Sequence, residues 1–153
     1  LHPNFKLPHY PIVPNLFGVT PMRDSRRSMT SDNRLPLLAG ALLAALGVLL
    51  GAFGAHGLRA VLGPEQLGWW QTGVQYQMWH GIALVAIGAA RVPGSRLSVW
   101  LLALGTLVFS GSLYLLALTG TRWLGMVTPF GGVLMIAGWV CFAWHVARAK
   151  TAS

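Results

Sequence analysis

Four apolar blocks, each long enough to cross a membrane, follow one another along this chain, and no Asp or Glu falls inside the lipid-depth part of any of them. A hydrocarbon core of about 30 Å takes about twenty helical residues at 1.5 Å each. Lipid offers the backbone no hydrogen-bond partner, so spanning segments of this kind must be helices. Leu35 to Ala55 meets the requirement without one charge. The second block reads from Pro64 to Ala90, with only Thr72 to Ala90 needed in lipid and Glu65 near the positive end of the helix. Leu97 to Leu118 and Pro129 to Ala147 complete the set. The expected fold is an all-α membrane protein, a bundle of four transmembrane helices at about 35–55, 64–90, 97–118 and 129–147 within a domain covering 29–153. Ser31, Asp32 and Asn33 offer capping side chains before the first span, Pro36 suits a first turn, and Thr128 is placed to cap the fourth. Trp69, Trp70 and Trp123 fall where an interfacial aromatic belt is expected.

Composition rules out the main competitor, a soluble domain. Charged residues make up 9% of the chain, too few to cover a water-facing surface, against about 25% in an average soluble domain. The only carboxylates are Asp24, Asp32 and Glu65. A net charge of +8 invites nucleic acid, but the basic residues lie between the apolar blocks instead of on one folded face, so no nucleic-acid partner is expected. Arg23, Arg26, Arg27 and Arg34 precede the first block, Arg91 and Arg96 lie between the second and third, and Arg148 and Lys150 follow the fourth. The other two links carry Arg59 and Arg122 as their strong bases. The positive-inside rule then places both termini in the cytoplasm of a bacterial-type inner membrane. Ala52-Phe53-Gly54 resembles a signal-peptide cleavage site, yet the preceding run exceeds the usual 7–15 residue core and reads as a span. Residues 1–28, with Pro3, Pro8, Pro11, Pro14 and Pro21 and no helical period, read as a disordered extension ahead of a translation start at Met29.

Small residues indicate how the helices associate. Gly40, Ala44, Gly47, Gly51 and Gly54 recur at intervals of four and three, on one face of the first span. In the second, Gly73, Gln77 and Gly81 form a row beside Thr72, Tyr76 and His80. Faces of this kind let membrane helices approach closely. Polar residues are distributed unevenly in depth. His56 ends the first span, Gln75, Tyr76, Gln77 and His80 come early in the second, Ser110, Ser112 and Tyr114 come late in the third, and Thr128 opens the fourth. All fall in the outer half of the membrane, as a candidate polar pocket. The competing reading is helix-to-helix hydrogen bonding alone, at about 0.6 kcal/mol per bond.

Specific chemistries fail on residue type. No intramembrane acid is available for an ion-coupled carrier. A bis-histidine haem needs two imidazoles at one depth, whereas His56 lies at the boundary and His80 about 12 Å inside it. Hydrolase triads, phosphate loops and CxxC pairs are absent, and the lone Cys141 reads as a small buried hydrophobe. No cofactor, metal or catalytic residue is expected.

Gly51-Ala52-Phe53-Gly54-Ala55-His56-Gly57-Leu58, Tyr76-Gln77 with Trp79-His80-Gly81, Phe109-Ser110-Gly111-Ser112-Leu113-Tyr114 and Thr128-Pro129-Phe130-Gly131-Gly132 together resemble the YgdD-like family. Its members are small four-span bacterial inner-membrane proteins of unknown function, similar to eukaryotic transmembrane protein 256. The resemblance covers about Leu35 to Val146 and implies no transferable activity. The expected role is a non-enzymatic accessory or structural component of the membrane, with the lipid bilayer, other membrane proteins or a second copy as partners. The alternative is a module that binds or passes a small solute or lipid headgroup through the polar cluster.

Overall fold

The computed structural model describes residues 31–149, with side chains from 34 to 148; the expectations for residues 1–28 and Met29 lie outside them. Every regular element among the described residues is helical: α1 (Ser31–His56), α2 (Pro64–Ala90), α3 (Arg96–Thr119), a short 3-10 helix (Arg122–Met126) and α4 (Thr128–Ala149). Three stretches, Arg34–His56, Arg96–Thr119 and Arg122–Arg148, are long and apolar enough to cross a membrane. α2 is not among them, because Glu65, four glutamines and His80 dilute its apolar residues.

Two boundary expectations change. α1 already includes Ser31 to Asn33, so Pro36 sits inside the helix and is buried there, close to Gly88 of α2. Thr128 belongs to α4, and its hydroxyl meets Ser112 across the helix pair at 2.8 Å, so it joins two helices instead of capping one. The helix ends are otherwise closed as expected for tight links. Gly63 N–H donates to the Gln66 side-chain oxygen at the start of α2. Gly120 ends α3 in the left-handed conformation (φ 67°) that glycine adopts without a Cβ clash. Arg91 does the same for α2 at φ 53°, where its side chain adds a cost of about 1–2 kcal/mol.

Each helix runs antiparallel to the one before it. α1 packs on α2, α2 on α3, and α3 on α4. Among the described residues α4 has no backbone contact with α1 or α2, so the order is open on that side. α3 is accordingly 44% buried over its most apolar stretch, against 22% for α1 and 17% for α4. The central core joins Leu43, Leu84, Ile87, Val99, Leu102 and Met135, with Tyr76 and Phe109 packed against it. A second cluster at one end holds Leu58, Trp70 and Ala117.

Backbone approach sets the two outer hairpins. A Cβ on Gly40 would lie 2.5 Å from the Gly81 carbonyl oxygen, and one on Gly81 would lie 2.9 Å from the Ala44 nitrogen. Further along the same seam Gly47 faces Met78, Gly51 faces Val74 and Gly54 faces the Trp70 indole. The α3–α4 hairpin repeats the device with other residues: a Cβ on Gly131 would lie 2.5 Å from the Phe109 nitrogen, and one on Gly105 2.8 Å from the Met135 nitrogen. In both seams the obstacle is backbone, which cannot swing aside. Gly40→Val and Gly131→Val should each lower stability in detergent by about 1–3 kcal/mol, the usual cost of overpacking. Gly111→Ala, which meets nothing within 4 Å, should not. Thermal unfolding followed by circular dichroism distinguishes the three.

Candidate functional site

The polar residues singled out from the sequence separate into three groups. Gln77 is the centre of the first. It is buried on α2, where its side-chain nitrogen donates to the Leu43 carbonyl of α1 at 2.9 Å and its oxygen accepts from the Tyr114 hydroxyl of α3 at 3.0 Å. One turn away, the buried Ser110 hydroxyl donates to the Gly73 carbonyl at 2.8 Å. Gly73 is small enough for that carbonyl to be reached: a Cβ there would lie 2.8 Å from the Tyr114 ring. Ser112 and Thr128 close the same level between α3 and α4. Gln77, Tyr114, Ser110, Ser112 and Thr128 are thus paired with one another or with backbone on a neighbouring helix.

Tyr76 and His80 form the second group, on the side where α2 and α4 stand apart. His80 Nδ1 lies 2.9 Å from the Tyr76 carbonyl, and Trp139 Nε1 lies 3.3 Å from His80 Nε2. A carbonyl only accepts and an indole N–H only donates, so both contacts hold together only in the Nδ1–H tautomer. Tyr76 packs on Phe109 with ring centroids 4.5 Å apart and stacks on His80 at 6.1 Å. Tyr76, His80, Phe109, Gly132, Met135, Ile136 and Trp139 line a cleft of about 300 Å³ whose walls are mostly apolar.

Gln75 and His56 make the third group. Both are exposed and neither joins the other two groups. Gln75 lines a groove between α1 and α2, on the far side of α2 from the cleft.

Sequence reasoning missed the partners supplied by α4 and by Trp70. Trp70 is only 3% exposed: its indole N–H donates to the Leu50 carbonyl at 2.9 Å and its ring lies 4.6 Å from Tyr114. It is a core residue, not part of an interfacial belt, because Gly54 leaves space for it on α1. Trp139, the partner of His80, gave no polar signal in an apolar block. Thr106, fully buried, returns its hydroxyl to Leu102 at 2.7 Å and touches the Met135 sulfur. Ser98 is the one buried side chain among the described residues whose polar atom has no partner. Cys141 is half-buried near His145. Among the described residues no three His, Cys, Asp or Glu side chains gather as a metal site would require.

The family described as Protein of unknown function (DUF423) matches residues 50–132. A UPF0382 membrane protein of Staphylococcus haemolyticus is 47% identical over 110 residues, which cover 70% of this chain and 90% of that protein. The UPF0382 inner membrane protein YgdD of Escherichia coli K12 is 43% identical over 128 residues, 80% of this chain and 95% of its own length. A UPF0382 membrane protein of Staphylococcus saprophyticus is 48% identical over 108 residues, 68% and 89% respectively. No solved structure matches the chain.

The two neighbouring glutamines allow a direct test of the pairing. Gln77→Leu strands the Tyr114 hydroxyl and removes the second, interhelical bond to the Leu43 carbonyl, and should cost about 1–3 kcal/mol. Gln75→Leu, at an exposed position, should stay within about 0.5 kcal/mol of the parent. Unfolding by titration of sodium dodecyl sulfate into detergent micelles measures both.

Proposed function

This chain is a membrane protein of the DUF423 family, and from that premise we propose that it is a non-enzymatic accessory or structural component of the bacterial inner membrane. It crosses the bilayer four times as a helical bundle, with both termini in the cytoplasm. α2, the helix with the weakest apolar signal, is the fourth span. Its 27 residues extend about 40 Å, and it lies antiparallel between α1 and α3, from the Gly54–Trp70 contact to the Gly40–Gly81 contact on one side. A helix aligned in this way with two spans shares their depth. Its buried Gln77 and His80 face protein, as polar groups at membrane depth must.

The orientation rests on charge. Antiparallel order brings the start of α1, the α2–α3 link and the end of α4 to one end, with Arg34, Arg91, Arg96 and Arg148. The opposite end holds Arg59, Arg122 and the acidic Glu65. The more basic end belongs in the cytoplasm.

The observation that carries the accessory role is the pairing of Gln77, Tyr114, Ser110, Ser112 and Thr128 between helices. These groups hold the spans together and leave no polar surface among them for a substrate. The edge helices α1 and α4 present Leu46, Leu49, Ile136 and Val140 outward, where another membrane protein or a second copy docks. A photo-crosslinking amino acid at Leu49 or Val140 in native membranes should give a discrete protein adduct from at least one edge. Lipid adducts alone from both edges would contradict the role.

The aromatic cleft supports a second reading, a binding module for a small apolar solute. Tyr76 and His80, Phe109 and Gly132 come from three of the four sequence stretches that carry the family resemblance. On that reading His80→Ala abolishes retention of a copurified small molecule in native mass spectrometry of the detergent-purified protein. Unchanged retention removes His80 from the site.

A further inference from the structure

The α1–α2 hairpin carries a second feature along its packed seam, apart from the aromatic cleft. Two cavities, of about 390 Å³ and 180 Å³, share Gly54, Ala55 and Gln71 and therefore form one continuous groove. Its upper part, beside the link between the helices, includes Arg59; its lower part runs down the helices past Gly51 to Gln75 and is the more apolar of the two. The groove exists because α1 contributes only small residues there and the Gly68 position of α2 meets no atom within 4 Å.

Side-chain pairing sets this groove apart. Of the four glutamines of α2, Gln66 and Gln77 are engaged: Gln66 bonds Gly63 and the Ala117 carbonyl, and Gln77 bonds Leu43 and Tyr114. Gln71 and Gln75, the two that line the groove, make no hydrogen bond among the described residues. Arg59 likewise has neither hydrogen bond nor ion pair there, and Glu65, the one carboxylate whose side chain is described, neither pairs with it nor lines the groove. One guanidinium and two free carboxamides thus line a slot that grows more apolar with depth.

We propose that this groove binds an anionic phospholipid, with Arg59 on the phosphate, Gln71 and Gln75 on the glycerol-ester carbonyls and an acyl chain lying past Gly51. The order of chemistry along the slot matches that molecule. A guanidinium is the preferred side-chain partner of a phosphate. Gln71 lines both parts of the groove and Gln75 lies one turn, about 6 Å, further down α2 by helical rise; both offer amide N–H donors to the ester oxygens, which only accept. A free phosphate would engage Arg59 alone and leave both amides and the apolar floor without a role. The proposal requires only that the α1–α2 link lie at a membrane surface, and it is independent of the accessory role.

Native mass spectrometry of the full chain in a delipidating detergent tests it, with dioleoyl phosphatidylglycerol and dioleoyl phosphatidylcholine added in turn. Phosphatidylglycerol should be retained in preference to phosphatidylcholine. Arg59→Gln should weaken phosphatidylglycerol binding about tenfold, the loss expected for one charge-assisted hydrogen bond, with an unchanged melting temperature because Arg59 is exposed. Arg122→Gln, at the same end but outside the groove, should leave binding intact. Gly68→Leu, at a lining position that meets nothing within 4 Å, keeps the charge, fills the slot and should weaken it as well. Equal retention of the two lipids, or full retention by Arg59→Gln, would overturn the proposal. So would loss of the lipid to millimolar inorganic phosphate, which marks a bare anion site, or full retention by Gly68→Leu, which marks charge without a groove.

Discussion

Hydrocarbon solvates no polar atom, so a polar side chain at membrane depth is tolerated only where the protein itself supplies the partner. On the proposed four-span arrangement that requirement converges on Gln77. Its amide has both a donor and an acceptor end, and the fold uses both, one toward the α1 backbone and one toward the α3 tyrosine. Three helices are tied through one side chain. The bonds beside it, Ser110 to Gly73 and Ser112 to Thr128, extend the same level to α4. Each such bond contributes on the order of 0.6 kcal/mol, so their main consequence is register: a helix that slides by one turn leaves several polar atoms unmatched together.

Register alone does not bring helices close. Lipid tails are as apolar as leucine, and helices in a membrane gain by packing when backbones can approach. Gly40 against Gly81 and Gly105 against Gly131 provide that approach at two separate seams. The seams define an α1–α2 and an α3–α4 hairpin, joined through the α2–α3 interface where the polar bonds are concentrated. The open side between α2 and α4 follows from this order, and the Trp139 side chain reaches across it to His80 at 3.3 Å.

Much of this was legible in the chain. Length and apolarity located α1, α3 and α4, and glycines at intervals of three and four marked the α1 seam before any geometry was known. The row of Gly73, Gln77 and Gly81 gave the buried face of α2. What could not be read was pairing. Gln75 and Gln77 are chemically identical and two positions apart, yet one is exposed and the other is a three-helix joint, because helical rotation turns them about 200° apart. The outer-half grouping joined His56 to His80, yet His56 is exposed at the end of α1 while His80 is buried on α2 against Trp139. Trp70 carried an interfacial signature by composition and became core because Gly54 lies opposite. The α3–α4 seam was available from the same spacing rule, in Gly131, Met135 and Gly138, but was hidden within an unbroken apolar run.

In the proposed arrangement α2 crosses the bilayer with its polar face shielded by the other helices. Single cysteines placed in a Cys141→Ala background at Val61, Gln77, His80 and Pro93, and treated with a membrane-impermeant maleimide on intact and inverted vesicles, test this directly. Positions 77 and 80 should stay unlabelled from both sides, and positions 61 and 93 should label from opposite sides. Labelling of 77 or 80 from water, or of 61 and 93 from the same side, would contradict it.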